Sequence, residues 1–383
     1  MSSFQHMKAR NRSRVLQAIR QSTSGISRAS IADRTGLTAA SVTNIVTALL
    51  QENLVRETKA GASSGGRKPI LLQMNNRAQR IVGIDIGSSE LRIASAGLDT
   101  VLLRSRTIAI PEQVTENTFL SFLTSLLHQF LSEEPEPVLG IGAAVHGIVD
   151  RRSGVSVHAP AHGIKGVPLR HALETAFGLP ISTCNDVKAM ALAESWYGKG
   201  RTYDSFLFIN AGRGLGAAYV ENGRVAEGAS GIAGEIGHTL IDPNGVQCSC
   251  GASGCLQTLA SAEALVRQAN EATEHRPYTS GADVAAAAGT DPAAAEALKQ
   301  IGTWLGYALV NAVHTFNPSA VVFGGGLSRN EQLMETARKA AYPRFLTKHA
   351  ADTDIHVSTL ENSTLRGACS LVLRDHILQE PEA

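Results

Sequence analysis

Residues 233–257 read AGEIGHTLIDPNGVQCSCGASGCLQ, the most specific pattern in the chain. Nine residues separate His238 from Cys248, one separates Cys248 from Cys250, and four separate Cys250 from Cys255. One imidazole and three thiolates make a closed tetrahedral donor set, the chemistry of a structural zinc ion. Gly251 and Gly254 let so short a loop turn sharply enough for three sulfurs to converge. Redox-active thiols are the alternative reading of the same residues. Three clustered cysteines in a total of five argue for metal rather than a disulfide framework in a cytosolic protein, and the remaining two, Cys184 and Cys369, read as buried thiols.

The flanks of this stretch have an α/β pattern. RIVGIDIGSSELRIASAG (80–97) and FLFINAGRGLGAAYVENGRV (206–225) each read strand, glycine turn, strand, which suggests two related lobes. Glycine turns expose backbone N–H groups to phosphate, although any one of them alone reads better as a plain structural turn. VLGIGAAVHGIVD (138–150) reads as one strand after a helix near 116–131. ISTCNDVKAMALAESW (181–196) puts Asn185 and Asp186 where a strand ends and a helix begins, and SAVVFGGGLS (319–328) is a strand running into Gly324–Gly326. LKQIGTWLGYALVNAVHTF (298–316) is a helix apolar enough to bury against the sheet or a partner subunit.

The first eighty residues differ in kind. They hold 13 Lys+Arg against 3 Asp+Glu, while the remainder holds 22 against 31. A basic head on an acidic body points to a polyanion partner for the head. Three helices are expected, the third capped by Thr38 and carrying Val42, Ile45, Val46, Leu49 and Leu50 on one stripe. Ala40, Ser41, Thr43 and Asn44 fall off that stripe and have the size and polarity to reach base edges in a major groove. LVRETK and KPILLQMN then read as a hairpin whose tip would lay Arg67 and Lys68 on phosphates or into a minor groove. Arg10, Arg12 and Arg14 are expected to face the duplex backbone, with a plain surface arginine the equal alternative for any one of them. A winged helix-turn-helix over residues 1–75 is the reading; a winged helix used for protein contacts is the alternative.

The length of 383 residues suits two or three domains. No run of about 18 apolar residues occurs, so no membrane span is expected. The start, MSSFQHMKARNRSR, is polar and basic, unlike a signal peptide, and a cytoplasmic location is expected.

Taken in order, these motifs resemble the ROK family of repressors and sugar kinases, over almost the whole chain and including the head of its repressor branch, as in xylose- and glucose-type repressors. The family signature, E-x-G-H followed by C-x-C-G-x-x-G-C-x-E, matches residues 235–257 except for its last letter, here Gln257. The resemblance implies a two-lobed actin-like, hexokinase-like (RNase H-like) sensor. One lobe would span 80–195, completed by 365–383, and the other 196–364, with the zinc site and a dimerisation helix. It implies sugar contacts from Asn185, Asp186, Glu235 and His238, with Gln257 still able to bond a hydroxyl. His146, where the family often has proline, is a further candidate contact or an ordinary packing histidine. In the kinase branch the aspartate matching Asp186 is the general base.

Two departures point away from phosphoryl transfer. The first phosphate turn usually reads D-x-G-G-T-K; here it is Asp85-Ile86-Gly87-Ser88-Ser89-Glu90, which loses the lysine and adds a negative charge. The second usually contains G-T-G; here it is Gly212-Arg213-Gly214. The expectation is a non-enzymatic, sugar-responsive regulator, binding operator DNA as a homodimer or tetramer, with sugar between the two lobes changing operator affinity. An ATP-dependent sugar kinase retaining a DNA-binding head is the alternative.

Overall fold

The computed structural model describes residues 3–22, 24–58, 69–111, 114–159, 164–275, 277–347 and 352–378. The chain divides into two compact units, Met1–Asp186 with Thr364–Ala383, and Val187–Ser363.

The first unit opens with α1 (Ser3–Arg20), which buries Val15, Leu16, Ala18 and Ile19. After β1 (Ile26–Ser27), α2 (Arg28–Thr35) starts at Ser27, whose hydroxyl accepts from the Ser30 N–H at 3.1 Å, and stops at Gly36 with φ +66°. α3 (Ala39–Gln51) starts at Thr38, whose Oγ1 accepts from the Ser41 N–H at 3.2 Å. It buries Val42, Val46 and Leu49, the i, i+4, i+7 stripe of its pattern. β2 (Val55–Thr58) and β3 (Leu71–Met74) form the expected antiparallel hairpin, and β1 pairs with the other edge of β3. The short β1 has no sequence signal of its own. Arg67 and Lys68, at the hairpin tip, lie outside the described residues.

Next come β4 (Arg80–Ile86), β5 (Glu90–Ala96), β6 (Leu102–Ala109), α4 (Glu116–Ser132) and β7 (Val138–Val145). A small antiparallel sheet, β8 (Ile148–Asp150), β9 (Val155–Ala159) and β10 (Ile164–Val167), precedes α5 (Leu169–Phe177) and β11 (Ile181–Asn185), after which α6 (Asp186–Tyr197) takes the chain into the second unit. The main sheet has the order β11-β7-β4-β5-β6. Its first three strands are parallel and the last two return antiparallel.

The second unit holds β12 (Ser205–Ala211), β13 (Leu215–Glu221), β14 (Arg224–Val225), α7 (Gln257–Ala260), α8 (Ala262–Glu271), α9 (Gly281–Ala287), α10 (Pro292–Phe316), β15 (Ala320–Gly324), α11 (Glu331–Ala341) and β16 (Asp354–Val357). Its sheet runs β16-β15-β12-β13-β14, again three parallel strands and then two antiparallel. The two sheets thus share one topology, as the paired glycine turns suggested. α10 buries Leu298, Ile301, Leu305, Leu309 and Val313 inside its own unit, so most of its apolar face is already used there.

The chain then returns to the first unit through α12 (Ser363–Val372) and a π-helical turn, Leu373–Leu378. Two strand-interior glycines make room for it. A Cβ on Gly142 of β7 would lie 1.8 Å from the Ala368 carbonyl oxygen, and one on Gly83 of β4 would lie 2.8 Å from Cys369 Sγ. The backbones of sheet and helix therefore touch directly. Cys369 is fully buried, and burial pushes its thiol up to about 12.

Candidate functional site

In the first unit, β4, β7 and β11 end side by side, with Ile86 opposite Val145 and Val145 opposite Asn185. The carboxyl ends of parallel strands are where such sheets place ligands. The strand expected over 138–150 is broken here. Gly147 has φ +115°, and a Cβ on it would sit 2.3 Å from the His158 carbonyl oxygen, so the chain leaves the main sheet at His146 and continues as β8 of the small antiparallel sheet. His146 Nδ1 then lies 3.3 Å from Asp186 Oδ2. The Asn185 amide donates to the Gly147 carbonyl at 2.9 Å and to Asp186 Oδ1 at 3.0 Å. The asparagine thereby ties the β7–β8 turn to the Asp186 carboxylate and fixes the carboxylate's direction.

Asp85 is buried in β4 directly opposite Arg92 of β5. Arg92 Nε donates to Asp85 Oδ2 at 3.0 Å, and its Nη2 makes a second contact with the same oxygen. Burial raises the Asp85 carboxyl above its ordinary value, and the guanidinium opposes that shift. Sequence reading overlooked this internal pair. Its signal was an arginine facing an aspartate across a hairpin.

In the second unit, the stretch Gly234–His238 lies flat on β13. A Cβ on Gly234 would meet the Ala217 oxygen at 2.0 Å, and one on Gly237 would meet the Leu215 oxygen at 2.0 Å. Glycine at both places is what lets this stretch present Glu235 and His238. Lys188 of α6, almost wholly buried, anchors the chain just before it: Nζ donates to Glu227 Oε2 at 2.8 Å and to the Gly231 carbonyl at 2.8 Å.

His238, Cys248, Cys250 and Cys255 come together as the spacing predicts. One donor atom from each lies within 4.8 Å of the other three. His238 Nδ1 is 3.7 Å from Cys248 Sγ, and Cys250 Sγ is 3.6 Å from Cys255 Sγ. A tetrahedral ion with metal–sulfur bonds of about 2.3 Å requires sulfur–sulfur edges of about 3.8 Å. The four donors thus fit a tetrahedral metal ion and are too far apart for a disulfide. Backbone bonds hold the loop: Cys248 N–H to the Ala252 oxygen at 2.7 Å, and Ile241 N–H to the Gly254 oxygen at 2.9 Å. Burial opposes ionisation of Cys248, but hydrogen bonds from the Cys250 backbone and the Gln257 amide bring its thiol down to about 6. Since His238 turns Nδ1 to the sulfurs, its Nε2 is at the opposite edge of the ring.

Gln257 takes a position the signature did not suggest. Its amide nitrogen donates to Cys248 Sγ at 3.1 Å. Its Oε1 lies close to both Gly214 of the glycine turn and Gly237, 3.4 Å and 3.3 Å from where their Cβ atoms would be. The glutamine therefore braces the cysteine cluster against the β12–β13 turn and the His238 stretch. The two glycine segments of this unit also adjoin: a Cβ on Gly325 would lie 2.4 Å from the Ala211 oxygen, just before Gly212. Arg213 of that turn is paired with Glu263 at 2.8 Å, both well exposed.

On α3, Ala40, Thr43 and Asn44 are exposed, and Ser41 is partly so. Ser41 Oγ accepts from Thr38 Oγ1 at 2.9 Å, which leaves the Ser41 hydroxyl proton available to a partner. The arginines of α1 behave differently from the expectation. Arg12 donates to the Ile377 carbonyl at 2.8 Å and pairs with Glu52, and Arg14 donates to the Thr35 carbonyl. Both spend donors inside the protein. A count of charges cannot tell where a guanidinium sends its N–H groups. Among the described residues, no helix is long and apolar enough to cross a membrane.

Known proteins place this arrangement. The chain is 32% identical to a putative xylose repressor of Caldicellulosiruptor sp. (strain Rt8B.4) across 91% of this chain and 92% of that repressor. Its structure is similar to that of a ROK family transcriptional regulator, a homolog of the Escherichia coli MLC protein, with TM-score 0.86, 30% identity and 98% of each chain covered. A ROK family glucokinase from Streptomyces griseus, solved with glucose and AMPPNP, has TM-score 0.69 and 26% identity, covering 76% of this chain and 98% of the kinase. The two lobes thus form the α/β, actin-like and hexokinase-like sensor fold of these proteins. With the ROK family pattern matching residues 81–375 as well, the chain belongs to the ROK family.

Proposed function

We propose that this chain is a sugar-responsive transcriptional repressor acting in the cytoplasm. One observation carries the reading. The regulator structure covers 98% of the chain and the glucokinase only 76%, so part of the chain that matches the regulator has no counterpart in that kinase. The basic first eighty residues, with the exposed polar face of α3, suit the DNA-binding task. Residues 1–75 would be a winged helix-turn-helix that lays Ala40, Ser41, Thr43 and Asn44 in the major groove, with Arg67 and Lys68 on the backbone or in the minor groove. Residues 80–195, with 365–383, would form one sensor lobe and 196–364 the other. A dimer or tetramer supplies the second head needed for a paired half-site.

Asn185, Asp186 and His146 of the first unit, and Glu235 and His238 of the second, are the proposed sugar contacts. Carboxylates and amides pair well with vicinal hydroxyls, and a site built this way rejects analogues lacking one. Gln257 contributes chiefly through the cluster it braces. His238, Cys248, Cys250 and Cys255 would hold a structural zinc ion, which fixes the loop carrying His238 and leaves Nε2 for the ligand.

A kinase with a DNA-binding head is the second reading, favoured by the presence of Asp186, whose carboxylate is held by Asn185 at the end of β11. Against it, the buried carboxylate of the first turn is already neutralised by Arg92, Glu90 stands exposed beside it, and Arg213 pairs with a carboxylate. No turnover is expected. The test is a thermal-shift screen of pentoses, hexoses and amino sugars, D-xylose and D-glucose first, with and without Mg-ATP. It is followed by binding to a duplex selected from a random pool. A sugar that stabilises the protein and changes duplex affinity about 5–150-fold supports the repressor. Sugar-dependent ADP release, abolished in Asp186→Asn, would establish the kinase.

A further inference from the structure

Three of the proposed sugar contacts, His146, Asn185 and Asp186, share a unit with the proposed recognition helix, and a chain of backbone and polar side-chain links joins them through the last described residues of the chain. It starts at β11, which ends in Asn185 and Asp186. Three positions earlier on the same strand, Ser182 is buried, and its hydroxyl donates to Asp375 Oδ2 at 2.8 Å and lies 3.1 Å from His376 Nε2. Asp375 and His376 sit in the π-helical turn, Leu373–Leu378. The other carboxylate oxygen of Asp375 is held by Arg151 at 2.6 Å and Arg374 at 2.9 Å. Arg151 follows directly on β8, the strand entered from the His146–Gly147 break. The turn is therefore gripped from two places that both lead back to the Asn185–Asp186 cluster.

From the turn the path continues into the head. The Ile377 carbonyl accepts from Arg12 Nη1 at 2.8 Å, and Arg12 also pairs with Glu52. Glu52 caps the C-terminus of α3. Arg12 thus fastens three things at once: α1, which carries it; α3, by way of its cap; and the terminal turn. π-helical turns are rare and occur frequently at functional sites. The last carbonyls of a helix lack intrahelical partners, and that of Ile377 accepts from Arg12 instead.

We propose that Ser182, Asp375 and Arg12 are positioning residues that transmit the state of the sugar site to the DNA-binding head, with the Leu373–Leu378 turn as the moving link. This rests on the repressor reading. A shift of β11 on ligand binding moves Ser182, the clamp on Asp375 carries the turn with it, and Arg12 re-aims α1 and α3 relative to the sheet. Arg12 on this view is a hinge pin rather than a phosphate contact.

The test uses the full chain and the variants Ser182→Ala, Asp375→Asn and Arg12→Gln. The first readout is hydrogen exchange without ligand. Ser182→Ala and Asp375→Asn are expected to speed exchange in α1 and α3 as well as in the turn, while β4 and β5 keep wild-type protection. The second readout is affinity for the duplex selected from a random pool, with and without saturating D-xylose, or D-glucose if that is what binds. The variants are expected to keep sugar binding and sugar-free duplex binding, while the sugar-dependent change, about 5–150-fold in wild type, falls to about twofold or less. Exchange changes confined to β11 and the turn, or a full sugar response in Asp375→Asn and Ser182→Ala, would overturn the proposal. If all variants lose β4 and β5 protection alike, the residues merely hold the fold and the proposal also fails. Should wild type show no sugar effect on DNA at all, the repressor reading fails instead, and the exchange experiment still decides whether the path exists.

Discussion

Two glycines in the cysteine loop, three residues apart, should respond very differently to the same added methyl group. Gly251 has φ +95° and Gly254 has φ +74°, so alanine at either position incurs left-handed strain, about 1–2 kcal/mol. Around Gly251 the added carbon meets nothing within 4 Å, and strain is the whole cost. At Gly254 it would lie 1.5 Å from the Asp242 carbonyl oxygen. No rotamer change relieves a clash with backbone, so the strands of the loop must part. The Gly254 carbonyl that accepts from Ile241 at 2.9 Å and from Asp242 at 3.2 Å then moves with them. Two weakened hydrogen bonds at about 0.5–1.5 kcal/mol each, added to the strain, bring the loss to about 2–5 kcal/mol. Because the site exists only when the loop is folded, that loss falls on metal affinity. At 1.4 kcal/mol per decade, Gly254→Ala should bind zinc about thirty- to several-thousand-fold more weakly, and Gly251→Ala about tenfold. Zinc content after purification and release to a chromogenic chelator measure both. Melting curves with and without chelator show whether Gly254→Ala already behaves like metal-free wild type. If both variants release zinc at the same rate, or Gly254→Ala keeps the ion as wild type does, the argument from close backbone approach is wrong.

Removing the Gln257 amide as Gln257→Leu should speed zinc release about tenfold, with sugar-induced stabilisation retained; loss of sugar binding with zinc intact would return this residue to the sugar site. Asn44→Ala should weaken binding to the selected duplex by about 5–150-fold, the 1–3 kcal/mol expected of a paired base contact, and circular dichroism should show α3 unchanged. Asp375 lies below the usual carboxylate range: burial raises it, but Arg374, Arg151 and Ser182 more than offset that. A carboxyl lowered in the folded state adds stability above its unfolded value, near 3.9, and loses it as pH falls through the folded value. Urea titrations should therefore show a shallower fall in stability below about pH 4 for Asp375→Asn than for wild type, with Arg151, Arg374 and His376 still in place.

What could be read from the sequence follows from how tightly chemistry dictates residue type. Metal chemistry leaves few choices of donor and spacing, so the four candidate donors, His238, Cys248, Cys250 and Cys255, stood out. Glycine turns between β-branched runs marked two lobes, and one sheet topology occurs twice. The capped, striped α3 was equally plain. Three features escaped because they depend on partners distant in sequence. Arg12 and Arg14 look like any basic residue in a basic head until the Ile377 and Thr35 carbonyls are located. The direction of the Gln257 amide is set by Cys248, not by its place in a signature. The pairing of Asp85 with Arg92 needed the hairpin register. Gly83 and Gly142 did carry a signal: glycine inside a strand often means that another backbone lies against it.

That contact has a consequence for how the protein is made. The apolar sheet against which α12 packs is among the first parts of the sensor to leave the ribosome, and α12 is among the last. Until the end of the chain is synthesised, β4 and β7 present bare glycine faces that the rest of the lobe does not fill. A second lobe built from contiguous chain can assemble during that wait, while the first remains open to chaperones and to mispairing. A premature stop just ahead of α12 should therefore be as damaging as an early one. Such losses leave α1, α2, α3 and the cysteine loop intact in sequence, yet deny the nascent first lobe its closing piece.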